Sequence, residues 1–112
     1  MTDSIQGYHA HVYFDAISVA KARALCEQAA ATFALAMGRV HERPVGPHPD
    51  WSCQLEVSRE LFAQVVPWLM LHRDGLVVLV HPLTGDDLVD HRDHALWLGA
   101  MRTLDLHPWP NH

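Results

Sequence analysis

The segment Leu76–Gly99, LVVLVHPLTGDDLVDHRDHALWLG, constrains the fold more than any other part of the chain. It opens as an apolar, β-branched run, which reads as a buried strand. The run ends on His81. Pro82 then removes a ladder donor, and Thr84-Gly85-Asp86-Asp87 forms a polar turn. Asp90 stands where a helix N-cap belongs, with Asp93 three residues on, and Gly99 stops that helix. One histidine therefore sits at the C-terminal end of a strand. Two more, His91 and His94, lie in the first turn of the next helix. Rigid backbone would aim these imidazoles into a cleft; the bland alternative is a histidine-rich connection.

Upstream, GYHAHVYF (7–14) alternates. Tyr8, Ala10, Val12 and Phe14 share one face, and His9, His11 and Tyr13 share the other. From the N-cap Ser18 to Met37, apolar residues recur at helical spacing, with Gly38 as the stop. Residues 39–43, RVHER, alternate again and put Arg39, His41 and Arg43 on one face. Three prolines and a glycine in 44–50 then form a stiff loop presenting His48. WSCQLEV (51–57) alternates with Trp51, Cys53, Leu55 and Val57 inward. Ser58 caps a second helix through about His72, in which Pro67 should kink the axis. The tail RTLDLHPWPNH carries Leu104, Leu106 and Trp109 and should pack on the body. The order is β-α-β-β-α-β with a short C-terminal helix: an α+β, ferredoxin-like sandwich. Helices cover one sheet face. The other, polar face is solvated or lines a pocket, and by analogy such a sheet would dimerise through it. A homodimer is expected.

The 112 residues suit one domain, spanning 1–112. The formal net charge is −5, with no basic patch carrying interleaved aromatics, which argues against nucleic-acid binding. No apolar run approaches the ~20 residues that span a bilayer. The first ten residues lack the basic and apolar regions of a signal peptide. Cys26 and Cys53 form no CxxC pattern and read as buried thiols of a reducing compartment, so a cytoplasmic protein is expected.

Ten histidines are the compositional outlier. Histidine is the commonest metal ligand and the main acid–base group near neutral pH. A catalytic first-row metal takes about three protein ligands and keeps positions open. His9, His11, His41, His48, His81, His91, His94 and Glu56 are the candidates. His9 and His11, two apart on a strand, can face one site; His48 and His81 each precede a rigidifying proline. Against this, a lone strand histidine is usually a hydrogen-bonded or surface residue. His72, His107 and His112 read as surface or tail residues. Arg39 and Arg43 suit a solvated edge, or bidentate binding of a substrate carboxylate. Tyr13 is a packed phenol or a proton donor. Trp51, Trp68 and Trp97 read as core.

GYHAHVYF, PVGPHP and LVHPLTGDDLVDH followed by ALWLG, in this order and spacing, resemble the DOPA 4,5-dioxygenase family from about Gly7 to Leu106. The resemblance implies a ferredoxin-like fold and a non-haem iron(II) extradiol dioxygenase. Such an enzyme opens the ring of a catechol such as L-DOPA by 4,5-cleavage to a seco-aldehyde, with dioxygen as co-substrate. One histidine from each block gives the implied ligand set His11, His48 and His81, with Glu56 in reserve as the carboxylate of a two-histidine triad. His9, His91 and Tyr13 become acid–base groups, and Arg39, Arg43 and His41 hold substrate. Zinc or another divalent ion is the alternative occupant. Two other readings compete: a dimeric module that binds a metal or small aromatic without catalysis, and a metal-free enzyme using His–Tyr chemistry.

Overall fold

The structure is a computed structural model and describes residues 4–110. The chain runs β1 (Tyr8–Phe14), α1 (Val19–Phe33), β2 (Ala36–His41), β3 (Trp51–Val57), a 3₁₀ turn (Arg59–Leu61), α2 (Phe62–His72), β4 (Val77–Pro82), α3 (Asp87–Arg92) and β5 (Leu96–Leu98). The strands form one sheet in the order β2-β3-β1-β4-β5, with every neighbouring pair antiparallel. The fold is therefore α+β with a five-stranded antiparallel sheet and three helices.

The alternation in β1 divides the two sheet faces as the sequence suggests. Ala10, Val12 and Phe14 join a buried cluster with Cys53, Leu55 and Val57 of β3 and Val78 and Val80 of β4. Ala22, Leu25, Cys26 and Ala29 of α1 and Val65, Val66 and Leu69 of α2 close it. Each fully buried aliphatic side chain is worth roughly 1.5–3 kcal/mol. The helical face thus carries most of the apolar stabilisation, and the opposite face is free to hold polar groups.

Several boundaries differ from expectation. Helix α1 ends at Phe33, where Ala34 takes a left-handed conformation (φ 55°). Met37 and Val40 instead pair with β3, with a bulge between them that absorbs Gly38 and Arg39. The open edge of β3 outcompetes the helical pattern there. The helix expected from Asp90 to Gly99 begins at Asp87, capped by Asp86, whose side chain accepts from the Val89 N–H at 3.3 Å. It stops at Arg92, and Leu96–Leu98 becomes β5, pairing with Val78–Val80 at the otherwise open edge of β4. Among the described residues no helix follows β5. Helix α2 runs unbroken from Phe62 to His72 although Pro67 is its sixth residue, where the missing N–H gives up the bond to Ala63 O.

The polar face is not open. The 44–50 loop, α3 and the 99–110 segment lie over its centre, leaving His11, His48, His81 and His91 between 1% and 8% exposed. Among the described residues no helix is long and apolar enough to cross a membrane.

Candidate metal centre

Strand register builds the centre. In the β1–β4 pair His9 lies opposite His81, and His11 follows two residues on, on the same face. The three rings meet with centroids 5.8 Å (His9–His11), 5.4 Å (His9–His81) and 5.2 Å (His11–His81) apart. His48 descends from the proline-rich loop to 4.1 Å from the His11 ring. His91 rises from α3 to 3.8 Å from the His81 ring. The result is two overlapping triads, His9–His11–His81 and His11–His48–His91, each with its ring nitrogens within 4.8 Å of one another. His11 belongs to both.

Backbone acceptors set the tautomers. His81 donates from Nδ1 to its neighbour's carbonyl, Pro82 O, at 2.9 Å, and His91 donates from Nδ1 to Asp87 O at 2.8 Å. A carbonyl only accepts, so each ring keeps its Nε2 lone pair free. Tyr13 makes its one side-chain hydrogen bond to His48 Nδ1, at 2.7 Å. Burial raises the phenol's pKa further, so it keeps its proton and is able to donate it. With Tyr13 as the donor, the His48 proton sits on Nε2.

The closest approach is His11 Nε2 to His81 Nε2, 3.1 Å. With His81 presenting a lone pair, His11 Nε2–H is the donor. A metal with bonds of about 2.1 Å sets adjacent nitrogens roughly 3 Å apart. Exchanging that proton for a metal ion needs little movement, so the residues fit the group.

The rings are also in the required charge state. Burial, reinforced by His48 and His81, holds His11 well below the usual histidine range. Burial, with His91 adding to it, pushes His48 and His81 down to about 4. Burial lowers His9 too, against the opposing pull of Glu56. Neutral imidazoles at neutral pH are ready ligands.

Three cavities reach the cluster, one of them, of about 430 Å³, touching His81 beside Tyr8, Phe62 and Leu96. A second, of about 210 Å³, lies under the loop, lined by His11, His41, Pro47, His48, Ser52 and Gln54. Another, of about 360 Å³, lies beside His91 and is walled by Trp97, Met101, Leu104 and Leu106.

The structure brings together five expected histidines, with Tyr13 behind them and His41 at the cavity wall. Glu56 stays outside: it is exposed, stands 4.0 Å from His9 Nε2, and joins neither triad. Arg39 and Arg43 are exposed and line none of these cavities. His94 is exposed, 4.0 Å from Asp90. His72 stacks on Trp68, and His107 pairs with Asp105. His112 lies outside the described residues. Trp51 and Trp68 pack against the core as expected, whereas Trp97 lies on the histidine face, 5.9 Å from Tyr13. The packing expected of Trp109 is present, but sequence reasoning did not foresee that its indole would lie 5.0 Å from His91, nor the Asp50–Arg102 pair over the loop. The rigid HPWP tail was the available signal for the first.

Comparison with known proteins identifies relatives of the chain. The Dopa 4,5-dioxygenase family model matches residues 8–108. DOPA 4,5-dioxygenase of Amanita muscaria is 35% identical over 115 residues, 95% of this chain and 50% of that protein. An uncharacterised 21.2 kDa protein of Botryotinia fuckeliana is 40% identical over 76 residues, 61% of this chain and 42% of that protein. The chain thus spans half or less of these curated relatives. A crystal structure from Nostoc punctiforme, provisionally described as a dioxygenase, superposes with a TM-score of 0.92 at 46% identity, covering 96% of this chain and 93% of that one. The chain belongs to the Dopa 4,5-dioxygenase family.

Proposed function

We propose that the protein is an iron(II)-dependent extradiol dioxygenase that opens the ring of a catechol, L-DOPA or a close relative of it. The observation that carries this reading is the pair of histidine triads sharing His11, in a chain of a family named for DOPA 4,5-dioxygenase. Held there, iron(II) would supply the Lewis-acid and redox chemistry by which a catechol and dioxygen react.

His9, His11 and His81 hold the metal, because two neighbouring strands fix all three rings and the 3.1 Å nitrogen pair is among them. The resemblance implied His48 as a ligand and His9 as an acid–base group. The Nδ1 partners favour the exchange. His48 carries its proton on the nitrogen facing the site, with Tyr13 holding that tautomer, and so delivers a proton to the substrate side. His91, with a free Nε2, accepts one. Glu56 orients His9 from outside. The 210 Å³ cavity takes the ring against His41 and Gln54. Arg39 on β2 and Arg43, two residues past His41, are the proposed partners of an anionic tail that extends from the substrate beyond the cavity lining.

Anaerobic loading with iron(II), then L-DOPA and air, tests the reading. Iron-dependent formation of a yellow seco-product is expected. Tight metal binding without colour would leave the non-catalytic binding module in its place.

We further propose that β1–α1–β2–β3–α2–β4 is a ferredoxin-like unit extended by β5, and that the chain is one domain working as a homodimer, which sedimentation would test. A cytoplasmic setting is proposed from two free, buried cysteines, Cys26 and Cys53.

A further inference from the structure

The loop that presents His48 is held from outside. Arg102 donates from Nε to Asp50 Oδ2 at 2.7 Å and from Nη2 to Asp50 Oδ1 at 2.9 Å. This planar, two-pronged pair joins residues 52 apart in sequence: one in the proline-rich loop, the other in the irregular segment after β5. A second tie lies alongside, where the Asp105 N–H donates to Pro47 O at 2.8 Å. The same segment ends with Trp109 against His91.

Asp50 is well placed to act on His48. Only Pro49 separates them. Proline fixes its own φ and confines the preceding residue to extended backbone, so the His48–Pro49–Asp50 unit moves as a stiff piece. On the other side Gly46 turns the chain in a left-handed conformation (φ 57°), and the His48 N–H donates to Val45 O at 3.1 Å. Among the described residues the ring's hydrogen-bond anchor is the Tyr13 hydroxyl, with the His11 ring packed 4.1 Å away. Exposed ion pairs usually contribute little. This one differs in being bidentate, with Asp50 only 28% exposed, and in joining two segments that lack a ladder of their own.

We propose that the Asp50–Arg102 ion pair positions His48, so that the segment after β5 is a working part of the site and not a tail. The proposal rests on the reading of His48 as an acid–base group.

Hydrogen exchange of the full chain tests it independently of turnover. In Arg102→Met and in Asp50→Asn, amides in 45–50 and 102–109 should exchange about tenfold faster, with β1 and β4 unchanged. The charge swap Asp50→Arg with Arg102→Asp should restore protection. In the L-DOPA assay kcat should fall about tenfold in each single variant with KM within about twofold, since misplacing a proton-transfer group acts on the chemical step. Unchanged exchange over 45–50 would overturn the proposal. So would faster exchange with unaltered kcat, which would make the pair merely structural. If the unsubstituted protein itself shows no ring cleavage, the functional reading fails, and the exchange results still decide whether the pair holds the loop.

Discussion

His11 Nε2 stands 3.1 Å from His81 Nε2 across two hydrogen-bonded strands, with His9 directly opposite His81 in the register. Such close approach of two imidazole nitrogens needs one shared proton or one shared metal. The sheet backbone fixes it, because neither strand can slide without sending every side chain to the other face.

Since His11 is common to both triads, His11→Ala should weaken divalent metal binding at least about 100-fold, whichever triad holds the ion. His81→Ala and His9→Ala should lose the metal too. His48→Ala should keep a full equivalent while losing turnover. Metal content by mass spectrometry, with competition against a chromophoric chelator, separates these outcomes. A metal-free His48→Ala would move His48 into the ligand set.

The chelator-treated protein should lose stability as the pH falls below about 6.5. An unfolded histidine titrates near 6.5, whereas His48 and His81 titrate at about 4 in the fold and His11 is well lowered. Between those values the unfolded chain binds protons that the folded chain refuses, so acid favours unfolding. The slope is roughly 1.4 kcal/mol per pH unit for each such histidine. Thermal melts at pH 7, 6 and 5 should show Tm falling steadily. A flat profile would mean that these rings are not held neutral.

Much of this centre was legible before the structure. Strict alternation in GYHAHVYF assigned His9, His11 and Tyr13 to one face, and β3 begins and ends where WSCQLEV does. What stayed hidden depended on pairing distant in sequence. Leu96-Trp97-Leu98 reads as the end of a helix until the free edge of β4 is known to need a partner. Gly38 is the strongest local helix stop after Ser18, yet Ala34 ends the helix because Met37 is wanted by Leu55. The proposed choice of His9 over His48 as ligand rests on register and on hydrogen bonds to Pro82 and Tyr13, which no spacing reveals.

Tyr13→Phe should separate tautomer control from packing. The ring stays where it is, 5.9 Å from Trp97, but His48 Nδ1 loses its only donor. Loss of one buried hydrogen bond costs about 1 kcal/mol, so the melt should move only a few degrees. Turnover should fall about tenfold or more, because His48 is then free to place its proton on Nδ1. Metal content should be unchanged. Activity equal to the parent would remove Tyr13 from the mechanism.

Asp90 offers the sharpest test of how α3 places His91. Its carboxylate is 1% exposed and accepts from the Thr84 N–H at 2.8 Å and the Thr84 hydroxyl at 2.5 Å, tying the turn after β4 to the first turns of the helix. Asp90→Ala removes the acceptor of the part-buried Thr84 N–H and hydroxyl and should cost about 1–3 kcal/mol. Asp90→Asn keeps the shape and one acceptor oxygen, and should cost less than half as much. Because His91 is the next residue and its Nδ1 bond to Asp87 lies within the same short helix, both variants should lower turnover in the order of their destabilisation. Chemical denaturation beside the ring-cleavage assay reads both quantities. Full activity in a destabilised Asp90→Ala protein would show that His91 needs no help from this carboxylate.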